Sequence, residues 1–282
     1  MTSAFARRWL RRLPAYALLT LCAALLLFPL YVTVVDSLHP IGEFINSPPP
    51  SLWPSHPQWG NYFSHGGAAA SGTPLTRYLV NSMVVSVVIT LGQLVTSVLA
   101  AYAFTFLRFP GRNVLFALFL STLMVPLEVA IIPNFQTIQW LHWTDTYQGL
   151  VAPFLATGFG TFLLRQYFLT IPSELRDAAE MDGYGHLRFL TSIVIPLARG
   201  ALATLAIFAF IQAWNQYLWP LLVTNDPDMR TVQIGIAAET QKLDKINVAF
   251  ASTVLSLLPM LLLVVAFQRV LVRGLFGGAV KG

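Results

Sequence analysis

Residues 174–189 read ELRDAAEMDGYGHLRF, a charged run in a chain of which only 10% is charged. Seven charged residues stand from Arg165 through Phe189, Arg165 included, with apolar segments of membrane-crossing length on both sides. Ser173 or Pro172 can open a helix here, placing Glu174 and Asp177 in a first turn whose dipole favours anionic side chains. Ala178 and Ala179 leave a low surface on which another protein can pack closely. Asp182-Gly183 then ends the helix, glycine supplying backbone freedom that other residues lack. Beyond it, Phe189, Ile193 and Ile195 run to Pro196, where the chain returns to apolar sequence. On these residues alone two readings stand: a solvated surface helix, or a docking element.

The flanking sequence sets the environment. With 282 residues, 56% of them hydrophobic, and a mean hydropathy of +0.65, the chain lies outside the range of ordinary soluble domains. The apolar residues fall in blocks of about 20, the length a helix needs to cross roughly 30 Å of hydrocarbon. Six spans are expected near 15–35, 79–104, 113–133, 148–167, 200–223 and 249–269. A soluble helical bundle would need polar helix faces that these blocks lack. The first block follows an Arg-rich start but has no convincing small-residue cleavage site, so it reads as a retained helix. The single Cys22 falls inside it and reads as an apolar packing residue.

Charge sets the orientation. With the N-terminus inside, the inner segments hold Arg7, Arg8, Arg11, Arg12, Arg108, Arg112, Arg165, Arg176, Arg188, Arg199, Arg269, Arg273 and Lys281. Only Arg77, Arg230, Lys242 and Lys245 are left outside, 4 against 13, which favours both termini inside. Topology thus accounts for the formal charge of +5, and no nucleic-acid partner is needed.

Between the spans, residues 36–77 form a Pro-rich outer loop containing SPPPSLWPSHPQWGNYF, where Trp53, Trp59 and Tyr62 suit a membrane interface. It reads as a surface linker or as a substrate contact. A second outer segment, 224–248, is long enough to reach a partner. Pro126, Pro133, Pro153 and Pro259 should kink or end spans, and Gly158 and Gly160 permit close helix approach. There is no internal repeat and no separate soluble domain, so residues 1–282 read as one membrane domain with a core of about 77–270 and an inner loop of about 168–199. No GxxxxGK[ST] loop, GxSxG elbow or metal-ligand histidine spacing is present, so no catalytic residue, metal or cofactor is expected.

Polar groups inside spans are costly and are candidates for function. Counted along straight helices at about 1.5 Å per residue, Glu128 and the pair Asn215 and Gln216 reach similar heights in the outer half of the membrane. They could line one cavity, with Trp214, Tyr217 and Trp219 as stacking surfaces for a sugar or polyol. The alternative places Glu128 at a subunit interface and the aromatics in an interfacial belt.

The run from Asp177 to Pro196, DAAEMDGYGHLRFLTSIVIP, resembles the EAA loop of ABC importer permeases. MVPLEVAIIP (124–133), FLLRQYF (162–168), WNQYLWPLL (214–222) and RGLFGGAVKG (273–282) are similar to the carbohydrate-uptake branch of that family, so the likeness covers most of the chain. The resemblance implies an all-α, six-span type I permease in a bacterial cytoplasmic membrane. Its loop would form a coupling helix in a cleft of a cytoplasmic ATPase, with Asp177, Ala178, Ala179, Asp182 and Gly183 as the docking residues. Asp177 stands where the family usually has Glu, and Tyr184 where a small residue is common, but the spacing is intact. Implied partners are a second homologous permease, two copies of the ATPase, an extracytoplasmic binding protein and membrane lipid. The tail around Gly277, Gly278 and Lys281 would lie near the ATPases. LEV at 127–129 with NQYLWPLL most resembles the members that carry sn-glycerol-3-phosphate, while GGAVKG is shared with sugar permeases, leaving a maltose-type disaccharide or oligosaccharide as the other substrate class. A secondary transporter would require an inverted repeat and a midplane coupling carboxylate. A membrane-bound hydrolase would require a nucleophile–base set.

Overall fold

A computed structural model of the chain describes residues 2–46, 50–64, 67–68, 74–241 and 245–276. Gly277, Gly278 and Lys281 lie outside the described residues, as does Lys242. Every regular element among the described residues is helical. Three helices are long and apolar enough to cross a membrane unaided: Pro14–Asp36 within α1 (Thr2–Asp36), α4 (Pro74–Phe106), and Ile246–Gln268 within α15 (Ile246–Phe276). Between α1 and α4 come two short outer helices, α2 (Ile41–Asn46) and α3 (Gly60–Phe63).

The other crossings are broken. α5 (Arg112–Ser121) runs through a 3-10 turn to Met124, then bends by 98° into α6 (Leu127–Trp140). α7 (Tyr147–Val151) with its 3-10 extension bends by 45° into α8 (Gly158–Phe168). After the inner helix α9 (Ser173–Met181), the segment from α10 (His186–Phe189) through a π turn (Leu190–Val194) to α11 (Ile195–Leu197) bends by 79° into α12 (Arg199–Trp214). α13 (Leu218–Val223) and α14 (Val232–Thr240) follow. Counting each bent pair as one crossing gives six.

The breaks correct three expectations. The span expected at 113–133 is not continuous: Pro126 sits between its helices, and the second half runs on to Trp140. The height of Glu128, counted along a straight helix, therefore does not hold. The span expected at 200–223 stops at Trp214, and residues 215–217 separate it from α13. Pro133 and Pro259, by contrast, lie inside helices that continue past them.

Broken helices at membrane depth need partners for their freed carbonyls. At the 155–157 break α4 supplies them. Gln93 Nε2 donates to the carbonyl of Phe154 at 2.9 Å, and Thr96 Oγ1 donates to that of Leu155 at 2.9 Å. Close approach by α8 depends on Gly160, where a Cβ would collide with Ser97 of α4 and press on Leu205 of α12, as expected for this glycine.

The chain divides into two compact units. In the first (Met1–Leu75 and Ile236–Leu258), the outer loop is built around buried polar groups rather than acting as a loose linker. Fully buried His39 contacts Glu43 through Nδ1 at 2.6 Å and the Ser51 carbonyl through Nε2 at 2.9 Å. Asn61 donates to the carbonyls of Ser37 and His39, and accepts from Asn247 at the start of α15. Tyr62 bonds Ser37 and is buried, unlike the exposed Trp53 and Trp59. The membrane-length part of α1 is only 6% buried and presents Leu18, Leu25, Leu26 and Cys22 outward, so Cys22 is not packed inside this chain. Such a surface requires apolar surroundings.

In the second unit (Thr76–Gly235 and Pro259–Gly282), one core joins the inner ends of the helices. Val98, Tyr102 and Phe106 of α4 pack with Leu164 and Phe168 of α8, Ala179 of α9, Phe189 of α10 and Leu205 of α12. The charged stretch is therefore part of this core on one face.

Candidate coupling site and polar path

The residues 173–185 close on themselves. α9 opens after Pro172, with Glu174 in its first turn and Asp177 in its second rather than its first. At the other end Gly183 has φ +76, the left-handed region, and two reversed bonds lock the exit: Tyr184 N–H to the Ala179 carbonyl at 2.8 Å, and Gly183 N–H to the Glu180 carbonyl at 3.1 Å. This 6→1 and 5→2 pair is a Schellman ending, which satisfies orphan carbonyls and favours an apolar residue just after the glycine. Tyr184 fills that position. Its ring packs against the inner core, and the Arg188 guanidinium lies 4.1 Å from the ring centroid. The departure from a small residue at 184 thus has a local physical reason.

The expected docking residues separate into two sets. Asp177, Ala178, Asp182 and Gly183 are exposed. Ala179 is 4% exposed and faces this chain's own core, so only one of the two alanines offers the outward surface expected of both. Arg176 bonds Glu180 at 2.8 Å across one turn.

Sequence reasoning used the inner arginines only for topology, yet they have a structural task. The last four carbonyls of a helix have no partner within it. At the end of α4, the Ala103 carbonyl accepts from Leu107 N–H, and arginines from three other helices serve those that follow. Arg165 Nε of α8 donates to Phe104 at 3.4 Å, Arg112 Nη1 of α5 to Thr105 at 3.3 Å and Leu107 at 3.2 Å, and Arg176 Nη1 of α9 to Phe106 at 3.4 Å. Guanidinium charge also complements the negative end of the helix dipole. Beside this collar, Tyr102 OH and His186 Nδ1 lie 3.0 Å apart, tying α4 to the start of α10. A spacing rule could not have found the collar, because its members are distant in sequence.

The substrate-path candidates are more dispersed. Glu128 is exposed in the first turn of α6 and has no hydrogen bond or ion pair among the described residues. Trp214 is 2% exposed, stacked against Phe210 at 5.7 Å, and Trp219 is buried with its Nε1 donating to the Gly149 carbonyl at 3.1 Å. Both indoles pack within the protein in this structure, so of the expected aromatic surfaces only Tyr217 is exposed. Asn215 is exposed, its side chain donating to the Ile211 carbonyl, while Gln216 holds its Oε1 buried with no partner among the described residues. α13 meets α6 where Trp219 and Val223 pack on Ile138, about 15 Å along α6 from Glu128 at 1.5 Å per residue. That packing alone does not bring Glu128 to Asn215.

Broken apolar crossings around a packed inner core, with one capped charged helix exposed, are the architecture of a multi-span membrane component. Residues 93–277 match the family described as binding-protein-dependent transport system inner membrane component, and the chain belongs to that family of inner-membrane proteins. It is 40% identical over 269 residues to the sn-glycerol-3-phosphate transport system permease protein of Yersinia pestis, covering 92% of this chain and 94% of the relative. Its fold is similar to a bacterial ABC transporter involved in the import of the acidic polysaccharide alginate, with TM-score 0.79, 22% identity and coverage of 94% and 97% of the two chains. The alginate transporter in complex with a pentasaccharide-bound periplasmic protein gives TM-score 0.65 at 14% identity, over 93% of each chain.

Proposed function

We propose that this chain is a membrane-spanning permease subunit of an ABC importer for sn-glycerol-3-phosphate. It works as one domain beside a second homologous permease, with two copies of a cytoplasmic ATPase and an extracytoplasmic binding protein. The observation that carries the mechanism is the Schellman-ended helix Ser173–Met181, exposed along Asp177, Ala178, Asp182 and Gly183 and anchored by Ala179 in the inner core. The sequence has no phosphate-binding loop of its own, so work must arrive by contact. A push on α9 acts on α4 through Arg176 and the buried Ala179, and on α12 through the core shared with Leu205. The π turn and the bend after Leu197 lie between α9 and α12, and irregular turns of this kind occur often at functional sites. Glu128, Asn215, Gln216 and Tyr217 are the candidates for the path, with Trp214 supporting it from within. The sequence likeness to the sn-glycerol-3-phosphate permease supports the substrate.

The test is ATPase activity of the reconstituted complex with its binding protein. Glycerol-3-phosphate should stimulate hydrolysis several-fold, and a maltose-type disaccharide should not. Stimulation by the disaccharide alone would reassign the substrate, and stimulation by no ligand together with no bound ATPase would overturn the importer reading.

A further inference from the structure

The connection between α4 and α5 forms an open surface pocket that the transport mechanism does not use. It measures about 480 Å³ and is lined by Arg108, Phe109, Gly111, Arg112, Asn113 and Val114. Arg108 is exposed, with no hydrogen bond or ion pair among the described residues. Arg112 commits Nη1 to the carbonyls of Thr105 and Leu107, which leaves the donors on Nε and Nη2. Arg165, held over the Phe116 ring at 4.0 Å, is near enough for its charge to act on Arg112. None of the three arginines has a carboxylate within ion-pair distance among the described residues. Cations gathered without a counter-ion repel one another, and an anion among them would relieve that repulsion.

The location indicates which anion. Residues 107–111 join two membrane-crossing helices directly, so the pocket lies at headgroup depth, on the side favoured by the basic residues as cytoplasmic. Phe109 and Val114 give the pocket an apolar wall next to its cationic one. Guanidinium forks match phosphate oxygens in paired hydrogen bonds. We infer that this pocket binds the phosphate of an anionic phospholipid headgroup, with Arg108 and Arg112 on its oxygens, Asn113 beside them, and Phe109 and Val114 against the glycerol and upper acyl carbons. The bound lipid holds the α4–α5 turn at the membrane surface next to the arginine collar. A free phosphate ester presents the same oxygens without the acyl chains, and the experiment separates the two sources.

The assembled complex is delipidated in detergent and titrated with phosphatidylglycerol in one arm and inorganic phosphate in the other, with bound ligand followed by native mass spectrometry. Wild type should retain phosphatidylglycerol, while Arg108→Gln should need about tenfold more lipid for the same occupancy, as loss of a charged hydrogen bond implies. Inorganic phosphate should leave occupancy near zero in both. Phosphate bound by wild type and lost in Arg108→Gln, with no difference in lipid retention, would overturn the lipid assignment. Equal retention of both ligands in the two proteins would overturn the pocket. Should the Gln variant fail to assemble, Arg108→Lys takes its place: it keeps the charge without the fork, a several-fold loss is expected, and unchanged affinity would overturn the pocket.

Discussion

Nη1 of Arg176, in the exposed inner helix, donates to the main-chain carbonyl of Phe106, the last residue of the long α4, at 3.4 Å. The same guanidinium is steadied by Glu180 at 2.8 Å, so the exposed inner helix is tied to a membrane-crossing helix by one side chain. Arg176→Ala removes that tie and leaves a helix-end carbonyl unserved. A charged hydrogen bond is worth about 1.5–3 kcal/mol when buried, and partial exposure at this position reduces the expected cost to about 1 kcal/mol. The larger effect should be on coupling: substrate-stimulated ATPase should fall several-fold while basal hydrolysis and ATPase binding persist. Arg176→Lys, which reaches one acceptor without the fork, should fall between the two. Stimulated hydrolysis unchanged in both variants would show that force does not pass through this contact.

The collar also shows what a sequence can and cannot display. Six crossings, the inner charged helix and the turn at Asp182-Gly183 were all legible, because each depends on local apolar length or local turn chemistry. The helix breaks were half legible. Pro126 and Pro153 marked two, but nothing around Ala156 announces that Gln93 and Thr96, about sixty residues away, will satisfy the carbonyls freed there. Likewise Trp214 and Trp219 read as ligand-stacking surfaces because they flank polar residues, whereas both indoles, one ending α12 and one in α13, are buried in the protein. Ala179 fails the outward reading for a related reason: neighbouring residues on a helix point about 100° apart, and here the core claims the Ala179 side while Ala178 stays exposed.

Glu128 and Asn215 supply a test of the substrate path. Glu128 is an exposed carboxylate without a partner among the described residues, a costly state for a crossing helix unless water, substrate or another subunit meets it. Glu128→Ala and Asn215→Ala should each lower uptake about tenfold or more with normal subunit stoichiometry on purification, as loss of a hydrogen bond to a charged group implies. Loss of stoichiometry in Glu128→Ala would assign the carboxylate to the subunit interface instead. Full uptake with intact assembly would remove both residues from the path.

The outer loop should respond to acid. The hydrogen bond from Ser55, supported by His39, holds the Glu43 carboxyl below its ordinary value of 4.5. A carboxylate depressed in the folded state stabilises the fold fully above its unfolded value, and that contribution disappears as pH falls through the folded value. Hydrogen-exchange protection in residues 50–62, taken relative to the intrinsic amide rate at each pH, should therefore be high at pH 7 and fall below about pH 4.5 in wild type. Glu43→Gln should exchange faster at neutral pH and lose the acid-dependent step. An unchanged acid step in that variant would place the sensitive group elsewhere.

Gly183 provides the most direct test of the proposed coupling helix. Its φ of +76 is a region that L-residues enter at a cost of about 1–2 kcal/mol, and a β-branched side chain enters least readily. Apart from its chain neighbours, no atom of the described residues lies within 4 Å of where a Cβ would stand, so a substitution there changes backbone preference without a steric clash among them. Gly183→Val should break the pair of bonds from Tyr184 and Gly183 that ends α9, shifting Tyr184 and the Asp182 corner while the crossings insert as before. Uptake should fall, with the ATPase either captured poorly or hydrolysing without transport. Asn tolerates the left-handed region better than other side-chain-bearing residues, so Gly183→Asn should keep most of the activity if backbone shape is the requirement. If both variants lose ATPase binding equally, the cleft rejects any side chain at 183 and contact, not conformation, sets the glycine. Normal uptake and normal ATPase capture in Gly183→Val would mean that the stretch 174–189 is a solvated surface helix and that energy enters the permease elsewhere.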